Sequence, residues 1–247
     1  MGAPYWLRPD STAFPPASLA CDDPPGLLAV GGDLSPERLL TAYSQGIFPW
    51  FNDDSPILWW SPDPRMVLQP ANVLVSRSMQ RFIRRHCGEN GRLHVTMDEQ
   101  FEAVIRHCAQ LRQQREGTWI TADMQRAYQS LHELGYAHSV EVWQRDVDGE
   151  QSLVGGLYGV ALGTMFFGES MFSLIPDVSK LAFIALARQL DRWNFTLIDC
   201  QLPTQHLASL GAGPMPREEF LRRLAENRAL QPRVSPGHWV MAADLLA

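Results

Sequence analysis

The run LIDCQ puts Asp199 and Gln201 at the end of an otherwise apolar stretch. In a strand, side chains alternate, so residues two apart share a face and these two point into one cavity. A carboxylate and an amide placed together steer a proton and take up developing charge, which is general acid–base and electrostatic work. An Asp that only hydrogen-bonds the following loop fits the same pattern, because such local bonds are common. Glu169 raises a related question. It lies in FFGESMFS, among aromatic and Met side chains that give a lone charge no compensation. Either it receives an amine-bearing ligand or a ribose hydroxyl, or it pairs with an interior Arg or Lys.

Trp50, Phe51, Met165, Phe166, Phe167, Met171, Phe172 and Ile198 surround these groups in sequence and supply enough apolar volume for a pocket of Leu or Phe size. Such stripes also build ordinary cores, and composition does not separate the two. In SRSMQRFIRRH, Arg77, Arg81, Arg84 and Arg85 fall at i, i+4, i+7 and i+8. On a helix they form one cationic face, opposite Met79, Phe82 and Ile83. Guanidinium groups in that array suit phosphate oxygens, although a charged face is often simply solvated. The net charge of −6 argues against a general coat of nucleic acid, so any RNA contact is local.

Several chemistries find no support. His86-Cys87 and His107-Cys108 are adjacent pairs whose side chains diverge on a helix, and no CxxC occurs, so no metal site or disulfide framework is expected. AVGGDL and LVGGLYG match neither a nucleotide-binding loop nor the dinucleotide fingerprint, so no cofactor is expected. The first residues lack a basic and apolar leader pattern, and no apolar stretch approaches membrane length. A cytoplasmic protein is expected, with neither membrane nor DNA as a partner.

These groups need elements to position them. Ser35-Pro36-Glu37 opens a helix over 36–45 that Gly46 stops. SPDPR at 61–65 reads as a junction, because consecutive X-Pro steps disfavour helix and strand pairing. It divides a small N-terminal domain, 1–63, from a larger domain, 64–247. Helices are predicted near 76–87, 98–113 and 121–134, the last capped by Thr121, with a strand near 92–97. HSVEVW, SLVGGLYGVALG and TMFFGESMFS read as an antiparallel meander. Ser179 is the predicted cap of an apolar helix, KLAFIALARQLDRW, that leads into the strand NFTLIDCQ. The class is α+β, a mixed sheet with packed helices of the N-acetyltransferase-related, acyltransferase-like kind.

In order and spacing, GLLAVGGDLSPERLLTAYSQGIFPWF, WWSPDPR, GTWIT, LHELGYAHSVEVW, GGLYGVALGTMFFGESMFS, LIDCQ and HLASLGA resemble the bacterial leucyl/phenylalanyl-tRNA-protein transferase family over about residues 26–212. The resemblance implies transfer of Leu or Phe, with Met a further donor, from aminoacyl-tRNA to the N-terminal Arg or Lys of acceptor proteins, marking them for degradation. It implies Asp199, Gln201 and Glu169 as the catalytic group, and Trp50, Phe166, Met171 and Ile198 as the side-chain pocket. Trp119, Tyr128 and Tyr43 would sit near the tRNA 3′ adenosine, and Arg77, Arg81, Arg84 and Arg85 would take the tRNA body. DVSK at 177–180 departs from the usual NASK, and Gln80 stands where a basic residue is usual. An aminoacyl ester is already activated and an α-amine is partly neutral at cellular pH, so the reaction asks mainly for positioning. The rival readings are an acyl-CoA or peptidoglycan-type N-acyltransferase, and a non-catalytic adaptor for basic N-termini.

Overall fold

The computed structural model describes residues 3–88, 91–113, 120–227, 229–230 and 237–246. Prolines and glycines keep the first elements short. Strand β1 (Tyr5–Leu7) runs parallel to β2 (Leu27–Gly31). Helix α1 (Pro36–Tyr43) begins where the Ser35 hydroxyl accepts from the Arg38 N–H, and ends before Gly46, which turns the chain at a φ of 75°. β3 (Phe48–Pro49) and β4 (Leu58–Trp60) complete a mixed sheet in the order β1-β2-β4-β3.

Within SPDPR, read above as a junction that disfavours strand pairing, the last residue, Arg65, already opens strand β5 (Arg65–Leu68). Next come α2 (Arg77–His86), β6 (Leu93–Met97), α3 (Phe101–Gln113) and α4 (Ala122–Glu133), the last capped by Thr121. The predicted meander is present as β7 (Ala137–Arg145), β8 (Gln151–Leu162) and β9 (Met165–Ser173), paired antiparallel. Helix α5 (Val178–Arg192) corrects the predicted cap. Ser179 lies inside its first turn, and the cap position belongs to Asp177, whose φ is 67° and whose carboxylate turns to Lys180 instead of the helix N–H groups. β10 (Leu197–Gln201), α6 (Gln205–Ala208), β11 (Gly213–Met215) and α7 (Arg217–Asn227) complete the described elements.

The larger sheet has the order β11-β5-β10-β9-β8-β7-β6. One face packs with α1, α3, α4, α7 and the smaller sheet around Leu28, Tyr43, Trp59, Tyr128 and Phe167. The other packs under α2 and α5 around Met79, Ile83, Leu181 and Ile184. The fold is thus two mixed sheets with helices on both sides of the larger one.

Three local features shape the sheet centre. β9 and β10 are parallel neighbours paired through Leu197–Met165, Ile198–Phe166 and Asp199–Phe167. Tyr158 and Gly159 of β8 pair with Ser170 and Gly168, which leaves Glu169 as an extra residue in β9. Gly159 is required there, since a Cβ would lie 2.2 Å from the Phe167 carbonyl oxygen. In β10, Asp199 and Gln201 pair with consecutive residues of β5, Val67 and Met66, so Cys200 is likewise extra. Both bulges fall among the residues that chemistry had singled out.

Candidate active site

A cavity of about 670 Å³ opens at the carboxyl ends of β9 and β10. Gly168 to Ser173 line one wall and Ile198 to Leu202 another, with Phe48 and Trp50 from the smaller sheet and Phe183 and Leu186 from α5. The crevice beyond the ends of parallel strands is where open sheets hold ligands, and this volume lies in the usual range for one. Trp50, Phe166, Met171 and Ile198 all line it. Phe172 does too, whereas Met165 and Phe167 belong to the core beneath the smaller sheet and Phe51 packs against that core.

Glu169 sits at the centre, 7% exposed. Among the described residues no Arg or Lys pairs with its carboxylate. Instead Tyr43 Oη donates to Oε1 at 2.7 Å, Gln201 Nε2 donates to Oε1 at 2.8 Å, and Tyr128 Oη donates to Oε2 at 2.9 Å. The two phenols also touch each other. Burial lifts the Glu169 carboxyl to about 7, against the lowering effect of the tyrosine hydrogen bonds. Burial likewise holds both phenols well above their ordinary range, so they remain donors. Tyr158, a phenol that lines the cavity, is fully buried with no partner for its hydroxyl among the described residues.

Asp199 is fully buried, and its partner is Arg65. Arg65 Nε and Nη2 donate to Oδ1 and Oδ2, each at 2.8 Å, and Nη1 donates to the Gly46 carbonyl at 3.2 Å. The guanidinium lies between the rings of Phe48 and Phe220, 4.7 and 4.8 Å from their centroids. Removing one member of such a buried pair costs about 3–5 kcal/mol, because the other charge is left unpaired. The Gln201 N–H donates to Asp199 Oδ1 at 2.9 Å, with Gln201 at a φ of 61°. Asp199 and Gln201 do line one cavity, but strand alternation is not what brings them together. The extra residue Cys200 breaks the two-residue period, and a left-handed Gln201 restores the aim.

With this geometry in place, likeness to known proteins becomes informative. Residues 67–225 match the leucyl/phenylalanyl-tRNA protein transferase family, and residues 32–63 match the N-terminal domain of the same family. A leucyl/phenylalanyl-tRNA–protein transferase of Nitrosospira multiformis is 60% identical over 90% of both chains. Proteins of the same name from Saccharophagus degradans and Anaeromyxobacter dehalogenans are each 53% identical, over 92% and 97% of this chain and 89% and 97% of their own. The chain belongs to the leucyl/phenylalanyl-tRNA–protein transferase family.

The remaining candidates of this transferase-family chain fall into three places. Arg77, Arg81, Arg84 and Arg85 are all exposed on α2, whose opposite side buries Met79 and Ile83. Tyr43 and Tyr128 have no exposed area and sit behind Glu169, with their hydroxyls spent on it. Trp119 lies outside the described residues. Arg65 is the site residue that sequence reasoning passed over, as part of a junction motif. The signal was present: a buried Asp needs a cation, and Arg65 is followed directly by the apolar run MVL.

Proposed function

We propose that this chain transfers leucine or phenylalanine from its aminoacyl-tRNA to the N-terminal Arg or Lys of acceptor proteins, forming a peptide bond at the cavity between β9 and β10. The observation that carries the reading is Glu169, a buried carboxylate with no cationic partner among the described residues, hydrogen-bonded to Gln201 in the lining of a largely apolar pocket. Trp50, Phe166, Met171 and Ile198 take the side chain of the amino acid being moved. The arginine face of α2 takes phosphates of the tRNA body, and Trp119 joins the seat of the 3′ adenosine. Tyr43 and Tyr128 contribute to that seat through Glu169.

In this reaction the acceptor's neutral α-amine attacks the ester carbonyl carbon, the C–N bond forms, and the bond to the ribose oxygen breaks. The amine proton passes to Glu169, whose raised pKa suits it to exchange protons near neutral pH. Glu169 then gives this proton to the departing ribose oxygen, which regenerates the carboxylate and leaves a free tRNA hydroxyl and a lengthened protein. Gln201 orients Glu169 and the amine, and positioning supplies much of the rate. We assign residues 1–63 and 64–247 to a small N-terminal and a catalytic domain, and place the enzyme in the cytoplasm, where charged tRNA is found. Among the described residues no helix is long and apolar enough to cross a membrane.

The test is labelled transfer from Leu-tRNA and Phe-tRNA to Arg-, Lys- and Ala-started peptides. The expected result is a labelled amide on the first two peptides and none on the third. Binding of basic peptides without amide formation would make the protein an adaptor and refute the proposal.

A further inference from the structure

We infer that Arg65 is a positioning residue of the transfer centre, and that Asp199, fully engaged by it, works by holding Gln201 and not by taking a proton. The inference rests on the transfer reading above and concerns how its centre is assembled.

Three observations carry it. First, both carboxylate oxygens of Asp199 are occupied by a fixed cation: Arg65 Nε on Oδ1 and Nη2 on Oδ2, with neither side chain more than 1% exposed. A carboxylate held in this bidentate way, away from solvent, has both oxygens committed to the guanidinium, and a proton placed on either would displace the charge-assisted bond there. Second, the Gln201 backbone N–H also donates to Oδ1, and it does so in the left-handed conformation that non-glycine residues rarely adopt. That bond is the local support for the unusual backbone, and this backbone directs the Gln201 amide onto Glu169. The line of force therefore runs from Arg65 through Asp199 and Gln201 to Glu169. Third, Arg65 is itself fixed from outside the larger sheet. The Gly46 carbonyl and Phe48 come from the segment after α1, and Phe220 comes from α7. At Gly46 an added Cβ would lie 2.8 Å from Leu221 and 3.0 Å from Phe220, so the backbone approaches α7 closely there. The guanidinium thus joins β5, β10, the smaller sheet and α7 at one point.

A merely structural ion pair would show in melting temperature and leave the kinetics of folded enzyme untouched, and this separates the alternatives. Steady-state transfer of labelled Leu to an Arg-started peptide is measured for wild type, Arg65→Lys, Gln201→Ala, the double variant Arg65→Lys/Gln201→Ala, Asp199→Asn, and the apolar pair Arg65→Met/Asp199→Leu. Lys keeps the charge but cannot grip both oxygens, so kcat falls by about tenfold or more while the KM for tRNA stays within about twofold. Adding Arg65→Lys to Gln201→Ala costs little more than Gln201→Ala alone, because the two act in series. Asp199→Asn lowers kcat but keeps an acid limb in its pH profile, moved to lower pH because the Asp199 charge no longer raises Glu169. The apolar pair recovers melting temperature and does not recover kcat.

The inference is overturned if Arg65→Lys keeps wild-type kcat, if its effect multiplies with that of Gln201→Ala, or if Asp199→Asn abolishes the acid limb. Should Arg65→Lys fail to fold, the apolar pair decides: wild-type kcat in it refutes the role of Arg65. A wild-type enzyme that forms no amide refutes the transfer reading first, and this outcome is visible in the control reaction before any variant is compared.

Discussion

At the scale of single residues, Glu169 is where burial is turned into chemistry. Its carboxyl, ordinarily near 4.5, is raised to about 7 chiefly by burial, with the nearby Asp199 charge adding to the rise and the bonds from Tyr43, Tyr128 and Gln201 opposing it. Activity that needs the ionised form therefore rises with pH through about 7. At saturating acceptor peptide, kcat should show an acid limb there, and Glu169→Gln should remove it while lowering kcat by about 10²–10⁴. The acceptor amine, with a pKa of about 7.7–8.0, shapes kcat/KM instead, so the two parameters tell the groups apart. Stability responds in the opposite sense. Between 4.5 and about 7 the folded protein keeps a proton that the unfolded chain releases, so stability falls as pH rises through this window, and urea titrations of Glu169→Gln should lose that slope. A pH-independent kcat in the wild type would remove Glu169 from the role of base.

At the scale of elements, α2 and β10 illustrate what a sequence reveals and what it conceals. The α2 stripe was legible because helical spacing alone sorts Arg77, Arg81, Arg84 and Arg85 from Met79 and Ile83. Its exposed face should respond as an electrostatic surface: Arg81→Glu with Arg84→Glu should raise the KM for tRNA, and lower the salt slope of binding by about 0.7–0.9 for each phosphate no longer neutralised. Circular dichroism and kcat should stay near wild type, since both side chains point to solvent. A fall in kcat with unchanged KM would place these arginines in a different role. The meander and α5 were legible for similar reasons, through β-branched and aromatic runs and an apolar helix. Register was not. The bulges at Glu169 and Cys200 arise from pairing with β8 and β5, and no local pattern announces them. Strand β5 was hidden for a related reason: it has four residues and begins inside a proline-rich motif, so Arg65 looked like punctuation when it is the partner of Asp199.

At the scale of the whole molecule, the C-terminal segment is fastened behind the cavity wall, a feature that the sequence pattern did not suggest. Trp239 lies flat on His138, with ring centroids 3.5 Å apart, meets Trp193 and Phe195 edge-on, and meets the pocket residue Phe166 at a tilt. Buried Asp98 ties these pieces together. Its Oδ2 is 2.8 Å from His138 Nδ1 and accepts from the Trp239 N–H at 2.7 Å, while Oδ1 accepts from the Ser139 N–H at 2.8 Å. Burial lowers the His138 pKa from its ordinary 6.5, so the folded protein holds a neutral ring where the unfolded chain would bind a proton. The sign follows: stability is present above 6.5 and is lost as pH falls through that value, opposite to the effect at Glu169. Trp239→Ala removes a large ring from this stack and should cost about 3–5 kcal/mol. At roughly 2–4 °C per kcal/mol, thermal melts at about pH 7.5 should fall by about 10 °C. Trp239→Ala should also flatten the decline in stability between about pH 6.5 and 5, since His138 then meets solvent in the folded state as well. Because Phe166 loses a neighbour, the KM for Phe-tRNA should rise more than the rate constants of the chemical step change. A variant that melts like wild type, or that keeps the full decline below about pH 6.5, would show that Trp239 does not fasten this face of the sheet.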